Sequence, residues 1–180
     1  MALLAADGPA AIASSLEEER IQSRLNWTPL KQVAKTARDA RCIKCRGKYT
    51  DPPAGADRSV SPNESDLEVS SGDSDITDNA FFFSDAVTVT QGYRTLKAEE
   101  VTIDRVEQTV TATGPIEVRE PGIVMYGDTI SYNSVDEQAQ LTDAEFVLYE
   151  QQLYGIAEEV TRDANGTLTI EDGARTFCTP

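Results

Sequence analysis

A unit of about 29 residues recurs from Phe81 to the C-terminus, and it fixes both an architecture and a long internal surface. Phe81, Phe83, Val87, Val89, Leu96, Val101 and Ile103 return 29 positions later as Val110, Ala112, Ile116, Val118, Met125, Ile130 and Tyr132. A third copy supplies Ala139, Leu141, Phe146, Leu148, Leu153 and Val160 at offsets of 28 to 30, the mark of single-residue bulges or turn changes. A partial fourth copy places Leu168, Ile170, Thr176 and Cys178 at the same stations. Within each unit apolar residues alternate, as in Val87-Thr88-Val89 and Ile116-Glu117-Val118, so the elements are strands with one buried face. Gln91-Gly92, Pro121-Gly122 and Asn165-Gly166 mark turns, and Gly114-Pro115 interrupts a strand run. Each unit therefore reads as two short strands with no room for a helix between them. The links are short enough to require antiparallel pairing or a corner into a facing sheet, which predicts an all-β jelly-roll or flattened solenoid.

Charge divides the chain. Residues 1–48 carry nine Lys or Arg against five acids, whereas residues 49–180 carry seven against twenty-six, a net charge of −19. A surface so acidic argues against nucleic acid as a partner, because phosphate contacts need cations. No apolar stretch is long enough for a spanning helix, and the segment Met1-Ala2-Leu3-Leu4-Ala5-Ala6 is too short for an intact signal peptide.

Before the repeats, the spacing predicts a tail over 1–50, a linker rich in Pro, Ser, Asp and Gly over 51–66, and a β domain over 67–180, with an edge strand at Leu67-Glu68-Val69. Ser15-Leu16-Glu17-Glu18 and Thr28-Pro29 suggest helices near 16–25 and 29–40, the second with a narrow stripe of Leu30, Val33, Ala34 and Ala37. A frayed tail with transient helix fits equally. Lys31, Lys35, Arg38, Arg41, Lys44, Arg46 and Lys48 stand against one acid, Asp39. Such a run is a solvated face, or a docking face for anionic lipid or for the acidic domain.

The chain has no histidine, which removes Ser-His and Cys-His nucleophilic pairs and most metal sites, so neither an enzyme nor a cofactor is expected. Pairs such as Glu99-Glu100, Asp136-Glu137 and Glu158-Glu159 point to opposite faces of a strand and do not converge on one substrate atom. Cys42-Ile43-Lys44-Cys45 has the spacing of half a zinc site or of a redox motif, but no second ligand pair follows and no strand precedes it. Three cysteines leave at least one without an internal partner.

Several stretches together carry a resemblance: Cys45-Arg46-Gly47-Lys48-Tyr49, Val87-Thr88-Val89-Thr90-Gln91-Gly92, Gly114-Pro115-Ile116-Glu117-Val118, Gly127-Asp128, Ala144-Glu145-Phe146-Val147-Leu148, and the ending Thr176-Phe177-Cys178. Over about residues 42–180 the chain resembles the OstA-like family of lipopolysaccharide-assembly domains, and within it the N-terminal periplasmic domain of the LptD type. The resemblance implies a twisted β-jelly-roll with a greasy interior at the periplasmic face of a Gram-negative outer membrane. It implies that lipid A acyl chains of lipopolysaccharide lie along Phe83, Val87, Val89, Leu96, Ile103, Ile116, Val118, Ile130, Phe146 and Leu148. Its implied partners are an LptA-like bridge protein added by edge-strand pairing, the plug lipoprotein LptE and a β-barrel following the domain. It further implies that Cys178 and one of Cys42 or Cys45, preferably Cys45, pair with cysteines of that barrel rather than with each other. A bridge between Cys45 and Cys178 would instead favour a free-standing bridge protein of the LptA type. A purely structural β-repeat, such as an adhesin module, is the third reading.

Overall fold

The computed structural model describes residues 19–52 and 59–178; the capping box at Ser15 and linker residues 53–58 lie outside them. Eleven strands are described: β1 (Trp27–Pro29), β2 (Gly47–Tyr49), β3 (Leu67–Ser70), β4 (Asp73–Ile76), β5 (Ala80–Gln91), β6 (Arg94–Asp104), β7 (Thr109–Glu120), β8 (Ile123–Asn133), β9 (Gln138–Leu148), β10 (Leu153–Arg162) and β11 (Leu168–Thr176). Strands β5 to β11 form an antiparallel meander in sequence order, with β3 and β4 both paired to the outer edge of β5. The repeat is visible directly: β5, β7, β9 and β11 begin at 80, 109, 138 and 168.

Strands β5 to β11 are not short. Each runs 9 to 12 residues and bends in the middle instead of ending there. The bends fall at left-handed residues 29 positions apart: Asp85 (φ 66°), Gly114 (φ 91°), Asp143 (φ 50°) and Asp172 (φ 45°). Asp and Gly are among the residues that tolerate this conformation most readily. Pairing shifts register across Ser84/Val87, Lys97/Glu100 and Thr113/Ile116, so the bends align into a crease across the sheet. Beside the crease stand small residues, Ala98, Ala112, Gly127, Ala144 and Ala157. A Cβ on Gly127 would come within 2.6 Å of Leu141 Cδ1, so the backbone there approaches too closely for any side chain. The crease turns one apolar face of both halves inward, giving the jelly-roll.

Hairpin tips repeat as well. Oδ1 of Asp104, Asn133 and Asp163 accepts backbone N–H groups two to four residues on, a side-chain turn recurring at intervals of 29 and 30.

The N-terminal segment is a folded lobe. Residues 19–24 are helical (α1), β1 pairs with β2, and a second helix, α2, spans Ala40–Cys45. The helix expected over 29–40 does not form. Pro29 closes the β1–β2 ribbon opposite Gly47, and of the proposed stripe only Val33 is buried, too little to hold a helix. Asp39 caps α2 instead, its Oδ1 accepting the Cys42 N–H at 2.7 Å.

This lobe packs on the outer face of β8–β10. Ile21, Leu25, Trp27 and Tyr49 form one apolar cluster with Val124, Tyr126, Val147, Tyr149 and Tyr154. Polar tips of the same residues are satisfied: Tyr126 Oη donates to Arg24 O at 2.6 Å, and Gln152 pairs with both backbone groups of Tyr49 at 2.8 Å. Arg20 and Arg24 meet Glu145 at 2.8 and 3.6 Å.

Burial pushes the hydroxyls of Tyr126 and Tyr154 up to about 12, with the Glu145 carboxylate adding to the effect at Tyr154; Tyr49 and Tyr149 are raised too, again chiefly by burial. Below pH 10 both folded and unfolded chains keep these protons. As pH rises from about 10 through about 12 the unfolded tyrosines ionise first, so stability falls across that window. Trp27, the chain's one tryptophan, reports it. Its emission is expected to shift to the red between pH 10 and 12, and an unchanged spectrum at pH 12 would contradict this packing.

Cys45 is bonded to Cys178, and Cys42 is a buried free thiol. The family resemblance implies instead that Cys45 and Cys178 pair with cysteines beyond the domain; within these residues they are joined to each other. The lobe brings the end of α2 against the exit of β11, where Tyr49 Oη also donates to Cys178 O at 3.1 Å, so the two thiols meet inside the domain. It also removes Cys45 from any zinc or redox role paired with Cys42.

Candidate functional site

Among the described residues, the inward face of the creased sheet carries the larger of the two buried apolar clusters. All ten positions named from the repeat enter one cluster. Val87, Ile116, Val118 and Phe146 are buried in it, and Phe83, Val89, Leu96, Ile103, Ile130 and Leu148 pack around them half-buried. The alternation brings them together because each strand keeps its apolar residues on one face up to the crease. The crease then resets the alternation beyond it, by the register shift that separates Ala98 from Val101 in β6 and by the left-handed Asp143 between Leu141 and Ala144 in β9.

Burial is graded. Residues flanking the crease, such as Val101, Ala112 and Leu141, are almost sealed, whereas those farther along both halves are partly open. Ile170, opposite Val160 in register, is 41 % exposed at the last strand. The interior is thus closed along its fold line and open along its rims and at the C-terminal edge. Its buried residues are apolar; Arg119–Glu117 (2.6 Å) and Lys97–Glu117 (3.4 Å) lie on the outer face, and Arg94–Glu120 (2.7 Å), in line with Leu96 and Val118, stands at the rim of the inward face with its charges paired. Such a surface accepts flexible hydrocarbon without leaving a polar group unpaired.

Sequence reasoning missed the small residues. Ala98, Ala144 and Ala157 belong to the buried cluster, and Gly155 is overlaid by the Phe146 ring, which fills the place a Cβ would take. Their signal was available as small residues recurring near the middle of each strand. Two surface clefts lie elsewhere: one of about 580 Å³ between α1 and β1, one of about 660 Å³ lined by Thr109, Ser131, Gln140, Arg162 and other polar residues.

Among the described residues the strand edges are unpaired at both ends of the sheet, β3 and β4 at one and β11 at the other. Among the described residues no helix is long and apolar enough to cross a membrane.

Residues 67–166 match the family model described as LptA/(LptD N-terminal domain) LPS transport protein. The chain is 28 % identical over 156 residues to the LPS-assembly protein LptD of Saccharophagus degradans, covering 86 % of this chain and 18 % of that protein. It is 28 % identical over 180 residues to the LptD of Hahella chejuensis, covering 96 % of this chain and 23 % of that protein. It thus spans about a fifth of the length of these relatives. Its fold is similar to that of LptH from Pseudomonas aeruginosa, the LptA homologous periplasmic component of the lipopolysaccharide transport device, with a TM-score of 0.53 and 21 % identity over 59 % of this chain and 82 % of that one.

Proposed function

This chain belongs to the LptA/(LptD N-terminal domain) family of LPS transport proteins, and on that premise we propose that its creased interior carries lipid A acyl chains of lipopolysaccharide. The observation supporting this most is the convergence of ten repeat-related apolar residues on one interior that is open at its rims. The domain works at the periplasmic face of the outer membrane, receiving lipid from a bridge protein and passing it to a barrel and its plug lipoprotein LptE. An intradomain Cys45–Cys178 bridge by itself favours a free-standing bridge protein. The similarity to LptD proteins extends over 96 % of the chain, N-terminal lobe included, and outweighs it.

Radiolabelled lipid A is expected to co-migrate with the purified chain in gel filtration and to be displaced by another acylated lipid. Displacement by the deacylated oligosaccharide instead would place recognition on sugars and sink the interior reading.

Docking of the bridge protein uses the β3–β4 edge, whose outward N–H and C=O groups offer a ladder for one more strand. The acidic side chains there, Glu68, Asp73 and Asp75, favour a partner edge carrying cations. A proline at the residue of Leu67–Val69 whose N–H faces away from β5 is expected to weaken bridge-protein binding at least tenfold, the loss of about one to two kcal/mol of hydrogen bonding, with the fold retained. Unchanged affinity would move the docking site to β11.

A further inference from the structure

We propose that the N-terminal lobe docks on an anionic lipid bilayer surface and so holds the C-terminal mouth of the interior against the membrane. Lys31, Lys35, Arg38, Arg41, Lys44, Arg46 and Lys48 lie within 18 consecutive residues of this lobe. Five of them are exposed and the other two, Arg38 and Lys48, are half-exposed. Among the described residues none of the seven forms an ion pair; the cations that fasten the lobe to the sheet are others, Arg20 and Arg24 on Glu145. The single acid among them, Asp39, is engaged in capping α2.

Two apolar side chains share this surface. Ile43 on α2 is 57 % exposed, and Phe177 is 51 % exposed with the Arg41 guanidinium 5.0 Å above its ring. Cations around a few exposed apolar side chains suit the headgroup region of a bilayer, where charge and hydrocarbon meet. None of the seven lines either of the two large clefts, so the surface suits a plane of headgroups better than one captured phosphate.

Charge complementarity also sets the orientation. Residues 49–180 carry a net charge of −19, so an anionic membrane repels the β domain and attracts the lobe. Because Cys45 in this lobe is bonded to Cys178 just past β11, docking here brings the last strand, with its exposed Ile170, toward the bilayer. The proposal concerns the lobe's surface and stands apart from what the interior carries.

The test is co-sedimentation of the full 180-residue chain with vesicles. At about 50 mM salt it is expected to bind vesicles of equal parts phosphatidylcholine and phosphatidylglycerol, to leave them at about 0.5 M salt, and to ignore pure phosphatidylcholine. Replacing Lys31, Lys35, Lys44, Arg46 and Lys48 together by Gln should weaken binding by more than a hundredfold, on about fivefold for each charge near the surface. Ile43→Ser, with all charges kept, should weaken it severalfold. Trp27 emission and intact lipid A capture identify variants that remain folded, and keep failure of docking distinct from failure of the interior. Equal binding to both vesicle types, undiminished binding of the five-site variant, or release by excess inorganic phosphate would each overturn the proposal.

Discussion

Cys45→Ser and Cys178→Ser are each expected to lower the stability of the domain by roughly 5 kcal/mol, the loop-closure value for a cross-link spanning 133 residues. That is as large as the entire stability of many domains of this size. The loss should be concentrated in the lobe, whose attachment otherwise rests on the aromatic cluster and the Glu145 ion pairs. Urea unfolding of the oxidised chain, with each variant beside it, measures the effect. Cys42→Ser is the internal control, since its thiol is buried but unbonded, and should cost far less. A non-reducing peptide map of the protein isolated from cells tests the pairing itself. Cys45 or Cys178 joined to a cysteine outside these 180 residues would restore the pairing implied by the family resemblance.

Phe146→Ala is expected to cost about 3–5 kcal/mol and to lower the melting temperature by roughly 10 °C. Phe146 is 3 % exposed, and its ring lies over Gly155 on the neighbouring strand. Removing it opens a cavity on the inward face beside the crease. Gly155→Ala alone should also destabilise, because the new Cβ and the ring compete for the same space. Combined with Phe146→Leu the glycine change should become nearly neutral, so the two sites are expected to be strongly non-additive. Additive losses in a double-mutant cycle would contradict this contact.

The strand content and the inward face were legible because apolar alternation and the 29-residue period both survive in single side chains. Strand length was not. Gly114-Pro115 looks like an interruption, yet its partners at the same station are Asp85, Asp143 and Asp172, which read as ordinary surface acids until their left-handed φ values show them to be corners. The lobe was misread for a similar reason. Asp39 is an N-cap signal, but Thr28-Pro29 offers another helix start ten residues earlier, and only the ribbon between Trp27 and Tyr49 decides between them. Cysteine pairing was beyond reach, since three cysteines permit several connectivities and the lobe's position on the sheet selects one. Tyr126, Tyr149 and Tyr154 look like outward strand residues in the sequence. Their burial becomes intelligible once the lobe is seated over them.

The central claim, that hydrocarbon travels along the inward face, is tested most directly by photo-crosslinking in cells. A photo-reactive residue is placed singly at the half-buried inward positions Phe83, Ile130 and Leu148, and at the outward positions Thr102, Ser131 and Gln140. The account predicts lipopolysaccharide adducts at all three inward positions and none at the outward ones. Adducts spread equally over both faces, or absent from every inward position while the protein still assembles, would contradict it.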